Sequence, residues 1–354
     1  MAHREEELRT KDKKQIDHIY RILKKYVLYV GADIRDVTST GKESRIEWIT
    51  SVFNNRTVLK EIISDVTINE YCCIEKEQID DWGGMYNYGY YWVLLGLLNT
   101  VYDEDSAEFF AYFIRPLADL FEVEGEDLYK ELGLRATVNS TVCAMVNLYG
   151  IVSFEKAYDI FCHVTSLGEK ISYNRFMKIA VRFSDFRKEY NICVYMNSFV
   201  SADYLEVKSL HEIQKITPKP EYYELVCKQG DKPFYTDFNI EKLLKYAAPG
   251  SFEINSYIDD FMLFLSDTFN RPDKDIFEIT DMVCKACIDE NGINFIFELL
   301  QNKGFSSKSH KIQKLIVKHI MQIKNNVRLR TNRGFTINEL RAISYDATIC
   351  CSNL

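Results

Sequence analysis

Glycine and proline are both scarce in this chain, 15 and 6 among 354 residues. Loops that cradle phosphates need closely spaced glycines, because only a backbone without Cβ lets successive N–H groups approach an anion. No G-x-G-x-x-G occurs, and Gly41-Lys42 is followed by Glu43, with Asp36 standing where the first glycine of a phosphate loop would be. Long apolar runs are missing too. The longest, Tyr90 to Leu98, is far short of the roughly 20 residues that cross a bilayer. The start, AHREEELRTKDKK, has no apolar core of the secretory kind. No membrane contact is expected, and a cytoplasmic location is.

The 10 cysteines do not form a secreted scaffold. Cys143, Cys162, Cys284 and Cys287 fall inside apolar helical patterns. Cys284-Lys-Ala-Cys287 has the spacing of half a zinc site, but the other close pairs, Cys72-Cys73 and Cys350-Cys351, are vicinal and chelate poorly. The pair reads as core thiols, with a metal or redox role as the alternative. Neither metal nor cofactor is expected.

What is present is length, hydrophobic periodicity and polarised charge. Hydrophobic residues make up 47% and charged residues 27%, the mixture of a folded protein with a sizeable core. The expected class is mainly α with small β wings: tandem winged-helix-like modules followed by a C-terminal helical domain. The expected divisions are an N-terminal helix and linker (1–44), a helical, winged-helix-like module (45–133), a winged helix-turn-helix module (134–216) and a C-terminal helical domain with a basic segment (221–354).

Residues 142–204 carry that reading. Val142, Met145, Val146 and Tyr149 recur at helical spacing, and Gly150 stops the helix. Ser153 can cap a second helix with Ala157, Ile160, Phe161 and Val164 on one face. Ser172 can cap a third, with Phe176, Ile179, Ala180 and Phe183 inward. Alternation of Ile192, Val194 and Met196 with Cys193 and Tyr195 then reads as a strand. A winged helix reads DNA with its third helix, whose outward side here offers Asn174, Arg175, Lys178 and Arg182.

Elsewhere, Ile16, Ile19, Ile22, Leu23 and Val27 mark an N-terminal amphipathic helix. Helices are expected over 45–54, 58–65, 68–78 and 86–97, and a hairpin over 99–113. Thr217-Pro-Lys-Pro220 reads as a linker. C-terminal helices are expected near 240–246, 254–270, 274–289, 292–302 and 308–324.

Net charge is −8, yet from Gln301 to Ser344 ten lysines and arginines face a single acid, Glu339. Candidate contacts to nucleic acid or a partner there are Lys311, Lys314, Lys318, Arg328, Arg330 and Arg333. Charge on the outside of a helix is ordinarily only solvation, so each patch has a bland reading beside the functional one. Most of the 23 tyrosines and 22 phenylalanines sit at core positions. Trp82, Tyr86, Tyr88 and Tyr90, around Gly83-Gly84, are too dense to face one core and mark a possible interaction surface.

Three segments also resemble a known family. Asn325-Asn-Val-Arg-Leu-Arg-Thr-Asn-Arg-Gly-Phe-Thr-Ile-Asn-Glu-Leu340 is similar to an "NNT-R-…-GYTPNEL" segment of SEC-C-motif-associated bacterial and phage proteins. Phe234-Tyr235 with Ile240–Tyr246 resembles their "FY…EELLKYAD", and Asn147–Ser153 their "NLYGVVS". The resemblance bears on architecture. The family's zinc-binding cysteine tail has no counterpart at Cys350-Cys351-Ser-Asn-Leu, so a function attached to that tail is not carried over.

For catalysis the closest string is Asp185 or Asp203 with Glu206-Val207-Lys208, which could hold a divalent metal beside a lysine. Acid pairs at Asp80-Asp81, Asp103-Glu104-Asp105 and Asp259-Asp260 fit turns and helix ends. The leading expectation is a non-catalytic binding or regulatory protein acting on DNA, RNA or a protein. The alternatives are an anti-defence inhibitor of a host effector, of the anti-CRISPR kind, and a metal-dependent nuclease.

Overall fold

Helix α1 (Lys13–Val30) begins at a capping box: Asp12 accepts from the Gln15 N–H at 2.8 Å, and the Gln15 side chain accepts from the Asp12 N–H at 2.9 Å. The computed structural model describes residues 8–9, 11–34, 36, 41–76, 92, 95, 97–103, 108–165, 171–210, 213–248 and 250–343. Among these the chain is mainly helical, with three small antiparallel sheets. It divides into two compact units, Met1–Ser140 with Asn174–Arg187, and Thr141–Tyr173 with Lys188–Leu354. Among the described residues no helix is long and apolar enough to cross a membrane.

In the first unit α1 buries Ile16, Ile19, Leu23 and Val27, the face expected from their spacing. It packs on α2 (Lys42–Phe53) and α3 (Arg56–Ile63). Asn55 caps α3 by accepting from the Val58 N–H at 3.1 Å. Then come α4 (Ile68–Lys76) and the hairpin of β1 (Leu98–Asp103) and β2 (Glu108–Phe113), paired from Leu98↔Phe113 to Asp103↔Glu108.

Helix α5 (Arg115–Tyr149) is broken at Gly125 and contributes its residues up to 140 to this unit. It is followed by β3 (Ile151–Ser153), α6 (Phe154–Val164) and α7 (Tyr173–Phe186). From Asn174 onward α7 belongs to the first unit and buries Phe176, Ile179, Ala180 and Phe183.

The second unit contains β3, α6, β4 (Ile192–Tyr195) and β5 (Ser198–Ser201). The strands lie in the order β3-β5-β4, with Phe199 opposite both Val152 and Val194. Gly150 makes the turn into β3 at φ 74, and a Cβ there would stand 2.8 Å from Leu225. Only glycine satisfies both conditions.

A second hairpin, β6 (Leu205–Leu210) with β7 (Ile213–Pro218), had no counterpart in the sequence reading. The expected linker at Thr217–Pro220 is instead a strand-to-helix junction. β7 runs to Pro218, and Pro220 opens α8 (Pro220–Gln229) at its first turn, where the missing N–H costs nothing.

After the short α9 (Ile240–Leu244) comes a four-helix bundle: α10 (Ser256–Phe269), α11 (Asp273–Ile288), α12 (Ile293–Asn302) and α13 (His310–Asn326). Its core includes Phe261, Leu265, Val283, Ile296, Phe305, Ile316 and Ile320. Each boundary falls within two residues of its expected position.

Candidate functional site

The expected contact residues of α7 divide. Asn174 and Lys178 are exposed. Arg175 is exposed but donates to Glu131 at 2.5 Å, and Glu131 also takes Arg135 Nε at 2.7 Å. Arg182 is a correction: expected outward, it is 5% exposed. Its guanidinium donates to the Glu61 carboxylate and, at 2.5 Å, to the Glu61 carbonyl, and its Nε lies 3.2 Å from Asp65 Oδ1. The cation can be buried because α3 and the turn after it bring two carboxylates to that flank of α7. Burial pushes the Asp65 carboxyl up, and the Arg182 charge only partly offsets that, so it stays above its ordinary value. Tyr26 donates to the same carboxylate at 2.9 Å.

One turn further on, Arg187 is 1% exposed and held by Glu70, 2% exposed, with Nη2 2.5 Å from Oε1. Thr67 adds two donors to Glu70 Oε2, from its N–H at 2.8 Å and its hydroxyl at 3.0 Å. This flank of α7 is an interior ion-pair network, and it has few cations left for a ligand.

The second unit holds the other three expected arginines, and all are turned into the fold, against the expectation that they face a ligand. Arg328 forks onto Glu339 at 3.0 and 3.3 Å and lies over the Tyr235 ring, 3.6 Å from its centroid. Arg330 donates to the Asn147 carbonyl at 3.0 Å and reaches Asp203 at 3.4 Å. Arg333 donates to the carbonyls of Lys232 at 2.5 Å and Gly230 at 2.9 Å, above Phe234. A planar guanidinium suits such sites, since it can fork onto carbonyls and stack on rings together.

These contacts bring together the three segments singled out in the sequence, 147–153, 234–246 and 325–340. Tyr149 donates to the Tyr235 carbonyl at 2.7 Å, and Asn147 to the Tyr246 carbonyl at 2.9 Å. Gly334, at φ 84, lies so close to Tyr149 that a Cβ would come within 2.8 Å of its ring. Burial pushes the Tyr149 and Tyr246 hydroxyls well up from their ordinary values. A small cleft lies beside Asn147, Tyr246, Glu253 and Arg328. Its polar side chains are already engaged: Asn147 with Tyr246, Tyr246 with Glu253 at 3.4 Å, and Arg328 with Glu339.

The lysines of α13 behave differently. Lys311, Lys314 and Lys318 are exposed along one strip with Val317 and Met321, and Lys308 precedes them. None has an ion-pair partner among the described residues. The opposite side of α13 buries Ile316, Ile320 and Ile323.

Three residues of the nuclease string, Asp203, Glu206 and Lys208, already have partners. Lys208 pairs with Glu206 at 3.1 Å on the surface. Asp203 accepts from Asn191 at 2.9 Å and Ser201 at 3.0 Å. Burial raises its carboxyl, but these two hydrogen bonds and Arg330 hold it below its ordinary value. Among the described residues no group of three acids, histidines or cysteines is placed to hold a metal. Cys284 and Cys287 are buried in the bundle core, where burial pushes the Cys287 thiol up to about 12 and the Cys284 thiol further. Trp82, Tyr86, Tyr88 and Tyr90 lie outside the described residues.

Comparison with protein-family models, with curated proteins and with solved structures finds no match.

Proposed function

We propose that this chain is a non-catalytic binding protein that meets a polyanionic partner, a nucleic acid, through α13 of its C-terminal bundle. The observation that carries this reading is the lysine strip: Lys311, Lys314 and Lys318 are exposed and unpaired among the described residues, while the arginines at 182, 328, 330 and 333 are engaged inside the fold. Unpaired cations on one rigid helix face attract phosphates without reorganisation of the protein.

The architecture is read here as a winged helix over 142–204. Chain order alone supports that reading: helix, β3, α6, α7, β4, β5, with β5 between β3 and β4, although α7 belongs to the first unit from Asn174 onward. An earlier winged-helix-like module, α2 to α4 followed by the β1–β2 hairpin, is part of the same proposal, as is kinship with SEC-C-associated proteins. The winged helix then serves as a scaffold, since Arg182 is unavailable and Arg175 is paired.

The test is an electrophoretic shift with random DNA and RNA at 50 and 200 mM salt, with and without magnesium. A salt-sensitive shift that Lys311→Glu, Lys314→Glu and Lys318→Glu together abolish is expected. Magnesium-dependent cleavage of the probe, lost in Glu206→Gln, would replace this reading with the nuclease.

A further inference from the structure

Helix α13 has the sequence HKIQKLIVKHIMQIKNN, with four lysines and neither an acid, an arginine nor an aromatic ring of the phenylalanine, tyrosine or tryptophan kind. Its exposed strip, from Lys311 through Lys314 and Val317 to Lys318 and Met321, therefore has cations but, beyond the exposed His310 imidazole at the helix start, no exposed ring of its own on which a base could stack. Single-strand binders interleave cations with aromatic platforms. Base-edge readers in a groove use arginine or lysine on guanine, and asparagine or glutamine on adenine, in bidentate pairs. Gln313 and Gln322 are both half-buried, and Gln313 donates to the Ser307 carbonyl at 2.9 Å.

The geometry suits a row of phosphates. At about 1.5 Å rise per residue, Lys311 to Lys318 spans roughly 10 Å. A duplex has one charge per about 1.7 Å of axis, so roughly six phosphates lie along that length and about half face one side. Lys308, exposed just before the helix, lengthens the row. The bundle is polarised around it. Neighbouring α10 carries Asp259, Asp260 and Asp267 and no basic residue, and none of these acids pairs with the strip among the described residues. The bundle would repel a polyanion from α10 and admit it at α13.

We infer that the strip is a contact for the phosphate backbone of a nucleic-acid duplex, meeting about three phosphates. This rests on the nucleic-acid reading above. Four probes of one arbitrary sequence separate the possibilities by fluorescence anisotropy across a salt series: a DNA duplex, an RNA duplex, and the single strand of each. A duplex, whichever is tighter naming the source, should bind more strongly than its own single strand. Between 50 and 200 mM salt its affinity should fall roughly fortyfold, as about three released counterions per complex require. The triple variant Lys311→Gln, Lys314→Gln, Lys318→Gln should lose most of that salt dependence, with its circular dichroism spectrum unchanged because all three side chains are exposed. Phe277→Ala and Phe295→Ala, which remove rings exposed on α11 and α12, should leave duplex binding as it was. Equal or tighter single-strand binding, or a loss in the phenylalanine variants, would overturn the duplex assignment and leave a nucleic-acid binder. A duplex bound with an unchanged salt slope in the triple variant would remove the strip from the contact. Binding to none of the four probes would overturn both readings.

Discussion

Helices α7 and α13 look alike on paper, each amphipathic with a basic flank, and the structure uses their charges in opposite ways. On α7 the arginines at 175 and 182, with Arg187 just beyond, find Glu131, Glu61, Asp65 and Glu70. On α13 the lysines at 311, 314 and 318 find no acid among the described residues. The residue type is part of the reason. A guanidinium holds several acceptors in one plane and tolerates burial when they are supplied, whereas an ammonium is a strongly hydrated point charge on a flexible stem. A basic helix is thus a ligand surface only after its possible internal partners have been counted.

The largest expected effect breaks the buried side of this contrast. Arg187→Ala leaves the Glu70 carboxylate interred without a counter-charge and should cost about 3–5 kcal/mol in urea unfolding. A double variant, Arg187→Met with Glu70→Met, should recover most of that loss. If it does not, packing rather than charge holds the position. Arg182→Ala should cost about 3 kcal/mol, toward the lower end because Glu61 keeps some solvent contact.

Gly334→Ala sharpens the contrast in the second unit. It forces a Cβ into Tyr149 at a left-handed φ and should destabilise by about 1–3 kcal/mol, read as a lowered urea midpoint. An unchanged midpoint would mean that the 325–340 segment does not brace the unit. At the small end, Lys178→Ala and Lys318→Ala should each stay within about 0.5 kcal/mol of the parent. A larger loss at Lys318 would move it to the structural side of the comparison.

Much of this architecture was legible. Ile16, Ile19, Leu23 and Val27 gave α1, and Ile316, Ile320 and Ile323 gave the inward face of α13, because burial imposes helical spacing directly on the sequence. The β6–β7 hairpin escaped because only its β6 half alternates, and its prolines looked like a linker. The arginines were misjudged for a deeper reason. Their acceptors lie far along the chain, at Glu61 for Arg182, Asn147 for Arg330 and Lys232 for Arg333, and no local pattern announces such a pairing. The lysine strip was readable because it depends only on residues within one helix.

The path of the chain between its two units has a consequence for synthesis. Residues 174–187 complete the first unit, yet 33 residues of the second unit, Thr141–Tyr173, are made before them. At about 5–20 residues per second, several seconds pass between the emergence of Glu70 from the ribosome and that of Arg187. During that interval Asp65 and Glu70 lack Arg182 and Arg187, which opposes burying the two carboxylates as charged groups. The first unit therefore closes only after part of the second has been translated, and a fragment ending at Ser140 would keep Asp65 and Glu70 while lacking Arg182 and Arg187.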